Sequence, residues 1–268
     1  ALYYDHIARF DTQIGSLLEH LEAEGLTRDT LVLYLSDNGM PFPRAKTTLY
    51  DAGIATPLIV RWPAVVKAES RCEKLVSAVD LVPTLLEAAG IAPAASLPGR
   101  SLLAGLRGEA FPERTAVYAE ANWHDFEHFS RSVRTPRYKL IRHYYHDTPL
   151  WNSVDSIHSP TWKALLELRE AGKLTEAQSL LFQHPRPFEE LYDLERDPYE
   201  LENAIDDPAL RGVRVELGVL LENWRVDTAD RMPAERKPDG WNRRGEPLPH
   251  NQPWYDLWRG DPNIFQVK

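Results

Sequence analysis

The sequence predicts an α/β protein: a mostly parallel sheet with flanking helices, followed by a small α+β domain with an antiparallel sheet. Two patterns predict this. An amphipathic helical stretch leads directly into an apolar run, LVLYL at residues 31–35, and a second run follows at 57–61. Such runs without alternation mark strands buried on both faces, the habit of parallel sheets. Beyond about residue 115 the pattern changes to short strand-like segments closed by one long apolar stripe, as in α+β domains. The 268 residues, 43% of them hydrophobic, suffice for one large domain or two modest ones. The boundaries that follow are 1–115 for the α/β part, 116–225 for the small domain and 226–268 for a Pro- and Trp-rich tail.

Taken in order, Ile7, Phe10, Ile14, Leu17, Leu18 and Leu21 share one helical face, and Gly25 ends the helix. Asp5, His6 and Asp11 belong to its solvated side. The charged stretch 64–74 reads as a loop or short edge strand. Residues 77–89 form a helix with Pro83 in its first turn, and Asp80 near its start suits a capping role better than a catalytic one. Residues 91–112 are a Pro- and Gly-punctuated connection with a short helical turn at 101–106. Strands are expected at 116–121, 132–143 and 191–194, with Thr135-Pro136 marking a turn. A polar helical excursion covers 159–181. Asp207-Pro208 opens a helix striped by Leu210, Val213, Leu217, Leu220, Leu221 and Trp224. In the tail, Trp241, Trp254 and Trp258 call for cover, from the domain surface or from another subunit, so a homo-oligomer is one expectation.

Several functions are set aside by composition. The net charge of −9 argues against a nucleic-acid partner. No apolar stretch approaches the ~20 residues of a membrane helix. Cys72 is the single cysteine, which excludes an intrachain disulfide, and its polar neighbours make it a surface or linker thiol. No signal peptide is visible, and the compartment stays open.

The chemistry concentrates at the end of the first strand. Ligands of open α/β sheets bind beyond the carboxyl ends of strands, and there Asp37 and Asn38 offer two adjacent oxygen donors suited to a hard divalent cation. Asp-Asn-Gly is also a common turn sequence. Lys46 follows eight residues after Asn38, near enough to fold back with a positive charge. A second candidate is EANWHDFEHF, residues 120–129, where His124 is a substrate-contacting or leaving-group residue, or where His124 and His128 merely cover an apolar surface. A zinc site on that pair lacks a third ligand at suitable spacing. His143 and His146 read as surface residues at a strand end.

The segment SDNGMPFPRAKTTLYDAGIATPLIVRWP, residues 36–63, resembles the metal-binding segment of the sulfatases, members of the alkaline phosphatase superfamily. It is most like the heparan N-sulfatase (sulfamidase) branch and related bacterial sulfatases. SAVDLVPTLLEAAGI at 77–91, PGRSL at 98–102 and ELYDLERDPYELEN at 190–203 extend the likeness in the family's order. The resemblance implies an alkaline-phosphatase-like fold, hydrolysis of a sulfate ester or sulfamate, and a small sulfated substrate such as a sulfated sugar. It implies Asp37 and Asn38 as metal ligands, usually to calcium, Lys46 and His124 as catalytic residues, and Lys46, Arg44 and His124 as substrate contacts. Lys46 stands where sulfamidase-like sequences commonly carry arginine, a point charge in place of a bidentate fork. The family's formylglycine nucleophile motif is nowhere in this chain, and Cys72, followed by Glu73, Lys74 and Leu75, cannot supply it. The resemblance therefore places the nucleophile in an amino-terminal half outside this chain, which becomes an expected partner. A phosphonate or phosphate ester hydrolase of the same superfamily, and a non-catalytic sulfatase-like binding module, are the alternatives.

Overall fold

A computed structural model describes residues 2–150, 152–242 and 244–252. The helices are α1 (Leu2–Ala23), α2 (Asp51–Ile54), α3 (Leu81–Ala88), α4 (Leu103–Leu106), α5 (Val154–Ile157), α6 (Pro160–Glu170), α7 (Glu176–Ser179) and α8 (Arg211–Asp227). The strands are β1 (Val32–Leu35), β2 (Leu58–Arg61), β3 (Val117–Trp123), β4 (Glu127–Arg134), β5 (Tyr138–His143) and β6 (Glu189–Asp193). Two compact units emerge, residues 1–36 with 57–114, and residues 37–56 with 115–268. The boundary predicted from sequence, 1–115, keeps 37–56 in the first part.

In the first unit, α1 leads to β1, which pairs with β2 in antiparallel register, Val32 opposite Arg61 and Leu35 opposite Leu58. The α/β class holds, but the parallel direction expected of these strands is not found among the described residues. The long return through 37–56 brings β2 back beside β1, running the opposite way. The apolar faces are only half covered within the unit: Leu35 and Ile59 remain exposed, as do Ile7, Phe10 and Leu17 of α1. Asp80 does cap, in the 3₁₀ turn before α3. It is fully buried, accepts the Ser77 and Arg100 N–H groups at 2.9 and 2.7 Å, and meets the Arg114 guanidinium. Burial alone would raise its carboxyl; the Arg114 charge and the two amides hold it below the usual value. Residues 64–74 form turns, and Cys72 is exposed.

The second unit is built on a four-stranded antiparallel meander, β3-β4-β5-β6. The expected turn at Thr135-Pro136 is present and divides the segment 132–143 into the end of β4 and all of β5. Because side chains alternate, Tyr118, Val133, Leu140 and Leu191 share one face. There they pack with Leu217, Leu221 and Trp224 of α8, whose indole stacks on Tyr118 at 5.3 Å between centroids. The opposite face carries Ile141 and Tyr192 and is covered by Leu49, Tyr50, Leu150, Leu165 and Leu181. Trp241 of the tail is buried with Phe126 and Val154, as its need for cover implied. Trp254 and Trp258 lie outside the described residues.

The segment 37–56 is fixed to this sheet by buried charge. Lys139 is fully buried on β5 and reaches Asp51, Glu200 (2.7 Å) and the Leu49 carbonyl (3.3 Å). Arg134 also pairs with Asp51 at 3.2 Å. Burial would raise the Asp51 carboxyl, but Lys139 and Arg134 hold it low, whereas at Glu200 burial prevails and the carboxyl is raised. Two glycines permit the close approach. A Cβ on Gly39 would fall 1.9 Å from the Ala52 carbonyl oxygen, and one on Gly53 2.4 Å from those of Ala45 and Thr48. The Gly39 N–H donates to the Gly53 carbonyl at 2.9 Å. Gly39 is thus required for contact, not for a left-handed turn.

Candidate functional site

The site is a cavity of about 450 Å³ in the second unit, lined by Asp37, Asn38, Lys46, Thr47, Thr48, Leu49, Gly53, Ile54, Glu120, Ala121, Asn122, Trp123, His124 and His128. It joins the DNG loop, the loop before α2 and the β3–β4 hairpin. A register shift between Ala121 and Trp123 turns the end of β3; bulges of this kind re-aim side chains.

Asp37, Asn38, Lys46 and His124 are brought to this one cavity. Asp37 is exposed, and its Oδ1 accepts the Asn38 N–H at 2.9 Å. Lys46 is presented between Arg44 and Thr47, both left-handed with φ of 64° and 71°. Such a conformation is costly for a β-branched residue and is held here by its surroundings. Thr48 Oγ1 donates to the Ala45 carbonyl at 2.8 Å, and the Lys46 N–H donates to that of Met40 at 3.1 Å. Lys46 Nζ then meets Asp155 Oδ2 at 2.8 Å. His124 Nδ1 lies 3.1 Å from Asp125 Oδ2, which also accepts the Val154 N–H at 2.7 Å, so the carboxylate orients the ring and ties the hairpin to α5.

Arg44 departs from the sequence reading. It does not line the cavity. Its left-handed backbone turns the side chain onto the Tyr50 ring, 3.6 Å from the centroid, and its guanidinium donates to the Tyr199 (3.1 Å) and Glu200 carbonyls. Its nitrogens hold the 199–200 turn in place and are not presented to a ligand in the cavity.

His143 departs too. It is buried, with Nδ1 2.9 Å from Ser130 Oγ and Nε2 3.4 Å from Glu190 Oε1. Glu190 in turn accepts the Tyr50 and Tyr192 hydroxyls at 2.8 and 3.0 Å. Burial would raise the Glu190 carboxyl, but His143 and the two hydroxyls hold it low; burial lowers His143. His128 stands between this buried network and the cavity. Burial, helped by the charge of Arg186, pushes it down to about 3, so it lines the cavity as a neutral imidazole.

Asp37 and Asn38 fit a hard cation in kind, as adjacent oxygen donors. They fall short in number, because no group of three or more His, Cys, Asp or Glu side chains suited to a metal occurs among the described residues. Ligands beyond this pair would complete any such shell. The sequence reading did not find Asp155: it lies 109 residues from Lys46, and nothing local in SVDSI marks it. Glu120, Asn122 and Trp123 were within reach, since they sit in the EANWHD motif.

Comparison with known proteins identifies a sulfatase of the alkaline phosphatase superfamily. The family described as "N-sulphoglucosamine sulphohydrolase, C-terminal" matches residues 44–179. An ulvan-active sulfatase of Formosa agariphila is 36% identical over 229 residues, covering 85% of this chain and 38% of the relative. The human N-sulphoglucosamine sulphohydrolase is 34% identical over 253 residues, 90% of this chain and 50% of that protein. A solved structure in complex with its substrate D-glucosamine-2-N,6-O-disulfate superposes with a TM-score of 0.62 at 25% identity, over 86% of this chain and 41% of its own. The chain belongs to the N-sulphoglucosamine sulphohydrolase family of sulfatases, and it spans half or less of the length of these relatives.

Proposed function

We propose that this chain supplies the metal- and anion-binding side of the active site of a sulfuric ester or sulfamate hydrolase. The observation that carries this is the convergence of Asp37, Asn38, Lys46 and His124 on one cavity. Asp37 and Asn38 would hold a divalent cation, calcium by family resemblance, which when bound supplies positive charge beside the sulfate oxygens. Lys46 would bind the same group and stabilise charge gathering on its oxygens in the transition state. His124, oriented by Asp125, is placed to give a proton to the leaving oxygen or nitrogen. His128, neutral and buried, donates or accepts a hydrogen bond without adding charge. The nucleophile, formylglycine in the family, would come from an amino-terminal half outside this chain.

A sulfated sugar is the proposed substrate class. The names of the relatives support it, and so does the cavity wall, where the half-exposed Trp123 ring offers a face to a pyranose and Glu120 and Asn122 offer partners for its hydroxyls. The test is turnover by the full-length protein of an aryl sulfate and a sulfated glucosamine against an aryl phosphodiester. Sulfate release that Asp37→Ala abolishes supports the assignment. Preference for the phosphodiester would instead assign a phosphoryl hydrolase, and ligand binding without turnover a non-catalytic module.

A further inference from the structure

Lys46 has a carboxylate of its own. Asp155 Oδ2 lies 2.8 Å from Lys46 Nζ, yet Asp155 is not part of the cavity wall. We infer that Asp155 is a positioning residue that holds the Lys46 ammonium at the cavity and offsets its charge, so that the site favours singly charged, sulfate-type groups over doubly charged, phosphate-type ones. The inference rests on the proposed anion-binding role of Lys46.

The geometry around Asp155 is built for this. Its Oδ1 accepts the Ser156 N–H at 3.0 Å, which fixes the carboxylate on α5 and leaves Oδ2 for the lysine. Asp125, which orients His124, anchors α5 through the Val154 N–H. Asn152 Oδ1 accepts the Arg44 N–H at 3.2 Å, so the loop carrying Lys46 is joined to the segment carrying Asp155 at a second point. The pair therefore bridges two chain segments already held in register. A lysine stem is flexible, and an ion pair of fixed geometry removes alternatives that would take the ammonium out of the cavity.

The electrostatic consequence concerns charge number. A sulfate ester or sulfonate carries one negative charge, and a phosphate monoester or phosphonate carries two above its second pKa. With Asp155 ionised the Lys46–Asp155 pair is neutral overall, and a second ligand charge gains little from it. Lys46 holds that carboxylate below its usual value against the rise that burial would bring, so the pair stays ionised through neutral pH. The side chain of Asp155 is 48% exposed, so solvent screens the effect and its scale is moderate.

The test uses two non-hydrolysable probes of one shape, benzenesulfonate and phenylphosphonate, titrated calorimetrically into the full-length protein at pH 8 and low salt. In Asp155→Asn, which keeps the acceptor for Ser156, phenylphosphonate affinity relative to benzenesulfonate rises about three- to tenfold over wild type. The gain shrinks at high salt. Asp155→Glu restores the wild-type ratio. An unchanged ratio in Asp155→Asn overturns the inference, whether both affinities stay or fall together, because a strut without electrostatic effect gives that result. Absence of sulfate turnover in wild type would refute the hydrolase reading alone, since the two binding ratios are measured without turnover.

Discussion

The contact between Gly39 and α2 gives the most quantitative prediction. In Gly39→Ala the new Cβ would sit 1.9 Å from the Ala52 carbonyl oxygen, where Cβ contacts stay beyond 3.0 Å, so loop and helix must part by about 1 Å. Backbone blocks the methyl, so no side-chain rotation relieves it. Parting also weakens the Gly39–Gly53 hydrogen bond, a net contribution of about 1 kcal/mol, while overpacking costs about 1–3 kcal/mol. The variant should lose about 2–4 kcal/mol in urea unfolding monitored by tryptophan fluorescence. Because Asp37 and Asn38 immediately precede this glycine, the displacement falls on the proposed ligands. A misplacement of about 1 Å at a reacting centre costs on the order of 100-fold in rate. The assay is sulfate release by the folded variant at a temperature where wild type and variant are both native. Wild-type turnover in a variant destabilised by the stated amount would refute the claim that this contact sets the positions of the two donors.

Three further outcomes follow from the same structure. Lys139→Met should destabilise by about 3–5 kcal/mol, because it leaves Asp51 and Glu200 without their buried cation; adding Glu200→Gln should recover part of that in the same unfolding assay. Between pH 6.5 and 5 the unfolded chain binds a proton at His128 that the folded chain, with this imidazole lowered to about 3, refuses. Stability is therefore present at neutral pH and falls with pH by about 1.4 kcal/mol per unit for this one group, and urea midpoints of His128→Gln should lose that share of the slope. Arg44→Ala should leave the KM for an aryl sulfate within about twofold while lowering the thermal midpoint, since the guanidinium holds the 199–200 turn and Tyr50; a tenfold rise in KM would restore Arg44 to the substrate.

What the sequence disclosed and what it withheld divide along physical lines. α1, β1, β2 and α8 follow from apolar runs and stripes, and the capping role of Asp80, in the 3₁₀ turn ahead of α3, follows from its place ahead of Pro83. The DNG segment and Lys46 were legible because a strand end, two oxygen donors and a basic residue lie within a dozen positions. The first part of β4 was not, because His128, Ser130 and Ser132 make one face polar and Arg131 interrupts Phe129 and Val133 on the other. Each is buried against neighbours distant in the chain, as Arg131 is with Asp230 at 2.6 Å, and single-sequence periodicity does not register that kind of burial. The antiparallel pairing of β1 with β2 was not legible for a related reason, since an unbroken apolar run reports burial and not the direction of a neighbour. Arg44, named from the family resemblance, lies off the cavity because its left-handed backbone turns it onto Tyr50, which no local pattern announces, and Asp155 was missed because its only signal is a contact across more than a hundred residues.

Cation binding by the acid–amide pair beyond β1 is what the proposed chemistry depends on. Calorimetric titration of calcium into the metal-stripped full-length protein, wild type against Asp37→Ala, tests it most directly. One bound ion is expected in wild type and at least about a tenfold loss of affinity in the variant, with the fold intact by circular dichroism. Equal calcium affinity in the two proteins would contradict it.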